Sequence, residues 1–449
     1  MPTKRMPTAL EVFLRMTENQ FTQRLIDGAA SLVVSPVRHH LTDRDMLRAL
    51  GLLGTTMKVM IPRQRARSFE TGPVEALMAS LKRVMQGTAS PGDLNHVAMV
   101  RRLMGLLGPG YLETLVGVFG IERTGLGTLG DRIRVLTGTP WFHVLAVQVN
   151  SECNMRRRCR GCYAALSKDG LDYPTLDSLM AQSMALGARF TVVLGGEPLL
   201  MKEELLSLFG NYPRMPFLVA SNGIAVDEAF AREVARLGNV FMLLNVHGLE
   251  TTTTKITGCP EVWAQVKAAA KTLTRHGVPT AFLATVFPDT YLELSGPEFV
   301  EQMLDWDMLM GLCFGYTTPI GSRPRSEWEL TPGMIDEFGG RIGQLFNTHP
   351  LLMIDTIRAE NQAAVGGCPA ARGQLIHVQS DGCVGGCPIV PVNNPALNIH
   401  DYPLVEILRH PFHRCLRTNC GARRGCQRHP GLLAELEKCV GSAGKSGGR

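Results

Sequence analysis

The sequence predicts an α/β protein: a six-stranded β/α part-barrel between an all-helical N-terminal domain and a small cysteine-rich C-terminal domain. Three observations carry this prediction. Short apolar runs alternate with helical segments from residue 144 to residue 316. Residues 1–138 hold amphipathic segments broken by glycine and proline, with no strand-like run. Seven of the twelve cysteines fall between Cys368 and Cys439. A chain of 449 residues, 45% of them apolar, can bury the cores of two or three such domains.

The elements follow in order. Residues 9–26 repeat apolar side chains at helical spacing, and Thr42 caps a second helix through 46–60, which Pro62 ends. Short helices are expected near 73–86, 92–107 and 110–119. The texture changes at about residue 140. VLAVQVN (144–150), FTVVL (190–194), FLVAS (217–221), VFMLLNV (240–246), TAFLATV (280–286) and LMGLCFGY (309–316) read as buried strands. Helices at 174–186, 202–210, 226–237, 260–276 and 297–306 separate them. This alternation predicts a partial (β/α)6, TIM-like barrel over residues 139–348, with a long helix near 332–347 leading out of it. Residues 349–440 are expected to be irregular apart from a hairpin at 374–387. So small a region, poor in apolar residues, would need metal to hold its shape. The tail 441–449 reads as disordered.

Charge and cysteine are both uneven. Residues 1–140 hold 18 Lys+Arg against 11 Asp+Glu, so all of the net positive charge lies there. The first 140 residues thus carry +7 and the remainder −1, a balance too mild to argue for nucleic acid. No run of 18 apolar residues appears, and the start, MPTKRMPTALEVFLRMTENQ, lacks the apolar core of a secretory signal. A reducing, cytoplasmic setting is expected, where cysteines are thiols or metal ligands before they are disulfides. Lys58, Arg63, Arg65 and Arg67 lie beside the apolar helix 46–60. They form either a solvated face or a weak contact with anionic membrane.

The chemistry is concentrated at strand ends. CNMRRRCRGCY places Cys153, Cys159 and Cys162 just past the first strand, where parallel β/α folds carry their active sites. Three thiolates can hold three irons of a [4Fe–4S] cube and leave the fourth iron open. A zinc knuckle completed by a remote ligand is the competing reading. The second strand ends in Gly195-Gly196-Glu197-Pro198. Its glycines admit close approach to the backbone, and Glu197 offers an acceptor for an ammonium group.

With these motifs the chain resembles the radical S-adenosylmethionine (SAM) enzymes, whose usual signature is C-x3-C-x2-C with an aromatic after the last cysteine, followed by GGEP. The resemblance implies that Cys153, Cys159 and Cys162 ligate a [4Fe–4S] cluster and that Gly195, Gly196, Glu197 and Pro198 hold the SAM amino group. It implies that Tyr163 lies near the adenine. Ser221, Asn222 and Gly223 match the motif at the third strand, and Asn245 of Asn-Val-His-Gly would face the SAM ribose or carboxylate. It also implies an electron donor such as flavodoxin or ferredoxin. Two departures stand out. The spacing here is C-x5-C-x2-C, and Thr257 of KITGCP occupies the place of an arginine that pairs with the SAM carboxylate. Lys255 or an inserted arginine is the candidate substitute.

Cys368, Cys383, Cys387, Cys415, Cys420, Cys426 and Cys439 resemble the auxiliary-cluster domain called SPASM, or its shorter twitch form. This implies one or two auxiliary [4Fe–4S] clusters, against a structural zinc. Cys259 and Cys313 read as ordinary core or loop residues. Enzymes with such domains most often modify a peptide or protein, and a lipid or small molecule is the second substrate class. A zinc-stabilised binding protein without catalysis is the alternative from another class.

Overall fold

The computed structural model describes residues 79–106, 138–164, 169–317, 323–357, 373–388 and 393–413, apart from positions 81, 85 and 324, together with residues 111 and 370. The expected helices at 9–26, 46–60 and 110–119, the basic run at Lys58, Arg63, Arg65 and Arg67, and the tail lie outside the described residues. So do Cys368, Cys415, Cys420, Cys426 and Cys439. The chain divides into two compact units, residues 1–68 with 109–139, and residues 69–108 with 140–449. The second carries the sheet.

In chain order the described elements of the sheet unit are α1 (Pro91–Leu106), β1 (Val144–Gln148), α2 (Tyr173–Ala185), β2 (Phe190–Leu194), α3 (Lys202–Asn211), β3 (Phe217–Ser221), α4 (Glu228–Leu237), β4 (Val240–Asn245), α5 (Glu250–Thr257), α6 (Val262–Arg275), β5 (Thr280–Val286), α7 (Tyr291–Leu294), α8 (Pro297–Asp305), β6 (Met310–Gly315), α9 (Pro332–Thr348), β7 (Leu352–Asp355), β8 (Leu375–Val378), β9 (Val384–Gly385) and α10 (Leu404–Ile407). All six predicted strands are present, within two residues of their expected bounds. Helix starts follow local chemistry: Asp172, Asp227 and Thr331 accept from the backbone N–H groups of Thr175, Phe230 and Met334. Helix α4 ends on Gly238 at φ 71°, a left-handed cap that needs glycine.

The strands form one nine-stranded, open sheet in the order β7-β6-β5-β4-β3-β2-β1-β8-β9. Every pairing from β7 to β8 is parallel, and only β8–β9 is antiparallel. Two expectations are corrected here. Residues beyond 350 are not simply irregular, because β7 extends the sheet past β6. The expected hairpin exists as β8–β9, but its first strand pairs with β1, Val144 opposite Leu375 and Val147 opposite Val378. Backbone pairing with β1, not metal alone, therefore anchors this part of the cysteine-rich region. Helix α5 was also unforeseen. Threonine-rich ETTTTKIT has little intrinsic preference for helix, and Thr253 and Thr257 return their hydroxyls to the carbonyls of Gly248 and Thr253.

Helices cover one face of the sheet. Phe217 of β3 meets Phe209 of α3 at 4.6 Å between ring centres, and Phe282 of β5 meets Phe299 of α8 edge-on at 5.2 Å. Helix α1 packs on α9, where Asn95 donates to the carbonyls of Phe346 and His349 at 3.0 Å each. Among the described residues no helix is long and apolar enough to cross a membrane.

Candidate active site

The chain leaving β1 is sewn to the chain leaving β2. Val149 N–H donates to Leu194 O at 2.9 Å, Gly196 N–H to Asn150 O at 3.0 Å, and Glu197 N–H to Glu152 O at 2.7 Å. Asn150 Nδ2 returns a bond to Glu197 O at 3.0 Å. This close approach gives the two glycines a task of their own. A Cβ on Gly196 would stand 2.1 Å from Glu152 O, and one on Gly195 would stand 2.7 Å from Asn150 Oδ1. The segment that introduces Cys153 is thus fixed by the Gly195-Gly196-Glu197 turn.

Glu197 ties in the third strand. Its carboxylate, 1% exposed, accepts from Leu199 N–H at 3.0 Å, Ser221 Oγ at 2.8 Å and Asn222 N–H at 2.8 Å. Burial still pushes its pKa above the ordinary value, against these three donors. Asn222 then reaches across to the cysteine loop, donating Nδ2–H to Asn154 Oδ1 at 2.7 Å. Pro198 is buried and starts a short 3-10 turn. Asn245, the last residue of β4, is half-buried, and Tyr163 is 37% exposed.

The cysteine loop itself holds Cys153, Cys159 and Cys162, all half-buried. Cys159 and Cys162 are joined by a tight turn, Cys162 N–H to Cys159 O at 3.2 Å. Burial, then the neighbouring thiols, push the Cys159 pKa up to about 12, and burial likewise raises Cys153. The three are near enough to feel one another's charge, and a group that takes them as thiolates must bring positive charge with it. Among the described residues no group of three His, Cys, Asp or Glu side chains is placed to hold a single metal ion. Three separated thiols on one loop suit a cube, whose irons each take one thiolate.

Several contacts around the cysteine loop were not legible in the motifs. Arg160 sits between Cys159 and Cys162, and its guanidinium grips both oxygens of Asp289 at 2.8 and 2.9 Å while lying 4.1 Å over the Phe287 ring. Lys255 shares Asp289 at 2.9 Å. The two cations hold the Asp289 carboxyl far below the usual carboxylate range. Arg156 faces Glu261 at 3.5 Å, and Arg158 donates to the carbonyls of Cys162 and Ala164. Thr257 is buried and turned to the helix backbone. Gly161, at φ 74°, lets the loop close on the barrel, since a Cβ there would lie 2.8 Å from Phe287 and 2.9 Å from Tyr316. His247, past β4, has a buried Nδ1 without a partner among the described residues, and burial and the Arg160 charge lower its pKa to about 4. The sequence signal for Asp289 was its place just past the fifth strand, where barrel enzymes keep functional side chains.

In the C-terminal region Cys383 is buried and Cys387 half-buried, on either side of β9. Asn398 Nδ2 lies 3.7 Å from the Cys383 sulfur.

The fold is a β/α part-barrel, and the candidate site lies at the carboxyl ends of its strands. Residues 147–294 match the Radical SAM superfamily, so this part of the chain is a radical SAM domain, of a class of enzymes that works with a [4Fe–4S] cluster and SAM. The structure is similar to that of Streptococcus suis SuiB bound to precursor peptide SuiA, with TM-score 0.52 and 14% identity over 64% of this chain and 69% of that one. SuiB bound to S-adenosylmethionine gives 0.53 and 13%, over 65% and 70%. Native anSMEcpe with bound AdoMet and Kp18Cys peptide gives 0.52 and 17%, over 68% and 97%. At these identities the likeness establishes the fold. No curated protein sequence matches the chain.

Proposed function

We propose that the protein cleaves SAM reductively and uses the radical to modify a peptide or protein. One observation carries the reading: the Cys153–Cys162 loop, the Gly195–Pro198 turn and the Ser221–Gly223 turn are locked into one hydrogen-bonded unit through Asn150, Glu197, Asn222 and Asn154. When bound, the cluster and SAM supply one-electron cleavage to methionine and a 5′-deoxyadenosyl radical that takes hydrogen from a substrate C–H. Cys153, Cys159 and Cys162 would hold the cluster. The backbone of Gly195, Gly196 and Pro198 would seat the amino group of SAM, with Asn245 at its ribose or carboxylate and Tyr163 at its adenine. The Glu197 carboxylate acts mainly as the knot between β2 and β3. Positive charge for the SAM carboxylate would come from Arg160 or Lys255, which outnumber the one carboxylate, Asp289, that they share.

The peptide assignment is supported by the fold shared with SuiB and anSMEcpe, both of which were captured with peptides. Cys383 and Cys387, with Cys368, Cys415, Cys420, Cys426 and Cys439, would hold at least one auxiliary cluster. A flavodoxin or ferredoxin would supply the electron. The test is direct: anaerobic, reconstituted protein given dithionite and SAM should release 5′-deoxyadenosine, and Cys159→Ala should abolish it. No 5′-deoxyadenosine from a sample with full iron content overturns the proposal.

A further inference from the structure

Among the described residues, helices seal one face of the sheet at β5 to β7 and none covers the other. Phe282 packs on Phe299, and a Cβ on its neighbour Gly311 would lie 2.0 Å from the Phe282 ring, so both point to the helix side. The register Phe282–Gly311–Met353 sets the parity of all three strands. Leu283, Leu312 and Ile354 then share the opposite face, with Thr285 beside Phe314 one pleat further on. On the sealed side Phe282 and Cys313 are 0% exposed and Met353 is 5% exposed, whereas Phe314 is 43% and Ile354 is 36% exposed. No strand position of β4 to β7 on the open face is charged.

This bare wall adjoins the cysteine loop. Two residues beyond Phe314, Tyr316 stacks on Phe287 at 5.5 Å, and both rings close on Gly161 between Cys159 and Cys162. Parallel sheets normally bury both faces, and an exposed contiguous apolar face marks a binding surface.

We propose that this face, with Phe314 and Ile354 at its open side, receives an uncharged apolar side chain of the peptide substrate, leucine- or phenylalanine-like in size. The inference rests on the radical peptide-modifying function proposed above and names its substrate class. A lysine or glutamate side chain placed here would lose water with no strand side chain to pair it, whereas an aliphatic or aromatic one gains by burial. Phe314 and Ile354 are therefore specificity-determining residues.

The test uses the full chain, anaerobically reconstituted with SAM present, and four capped peptides Gly-Gly-X-Gly-Gly in which X is Leu, Phe, Lys or Glu. Calorimetric titration should find the Leu and Phe peptides bound about tenfold or more tighter than the Lys and Glu peptides. Phe314→Lys and Ile354→Lys, each tested alone, should lower the Leu-to-Glu affinity ratio at least severalfold, and Phe314→Leu should keep it. Equal or undetectable affinity for the four peptides overturns the inference, as does a ratio unmoved in both lysine variants. Tighter binding of 1-octanol than of either apolar peptide overturns it in favour of a lipid. Release of 5′-deoxyadenosine is followed in the same native sample. Its absence removes the radical function and the inference with it, while its presence beside four equal affinities removes the inference alone.

Discussion

A single buried imidazole illustrates what the residue scale adds. His377 lies on β8 opposite Ala146, is 2% exposed, and has no hydrogen-bond partner among the described residues on either ring nitrogen. Burial lowers its pKa to about 4. The folded protein therefore holds it neutral, while in the unfolded chain it takes up a proton near its ordinary pKa of about 6.5. Stability from this group is present above pH 6.5 and is lost as the pH falls towards 4, by up to ~3 kcal/mol. Urea midpoints measured across that window should drop with pH, and His377→Leu should flatten the drop. An equal slope in the variant would assign the effect to other groups.

At the scale of elements, the site depends on how closely two strand-end segments approach. Gly196→Ala places a Cβ 2.1 Å from Glu152 O, a backbone atom that cannot move without carrying Cys153. Overpacking of this kind costs roughly 1–3 kcal/mol or more. The variant should unfold at lower denaturant and retain less than about half the native iron at the cysteine loop. Gly340 in α9 is the contrast, since a Cβ there meets nothing within 4 Å. Gly340→Ala should stabilise by ~0.5–1 kcal/mol, because alanine loses less backbone freedom in a helix. Chemical denaturation with iron analysis separates the two. If both glycines tolerate alanine alike, the packing account of the Gly195–Pro198 turn fails.

For the whole molecule, the question is whether the C-terminal cysteines are iron sites. The sheet supplies β8 and β9 as a frame for Cys383 and Cys387, next to the strand that launches the active-site loop. A variant with Cys153, Cys159 and Cys162 all changed to Ala should stay brown, with iron equal to at least one [4Fe–4S] unit per chain. Zinc in place of iron would give that region a structural role instead. Because β8 pairs directly with β1, distortion of the auxiliary region should also reach the radical site through the backbone.

The alternation of strands and helices, the cysteine triplet, the Gly-Gly-Glu-Pro turn and the Ser-Asn-Gly turn were all legible in the sequence. Each is a local pattern: two-residue and 3.6-residue periodicities, and residue types fixed at one strand end. Contacts between distant segments were not legible. Nothing near residue 375 announces a partner at residue 144, because parallel pairing is decided by which edge remains uncovered. The clamp of Arg160 on Asp289 joins residues 129 apart, and the Asn222–Asn154 bond joins residues 68 apart. Glu197 shows the same division: its type and place were readable, but its three donors come from two different turns. The open apolar face is the last case, since exposure of Phe314 depends on where the helices are absent, which only the assembled sheet decides. Local periodicity and motif chemistry made the class of this protein legible, and long-range packing decided how its candidate site is held.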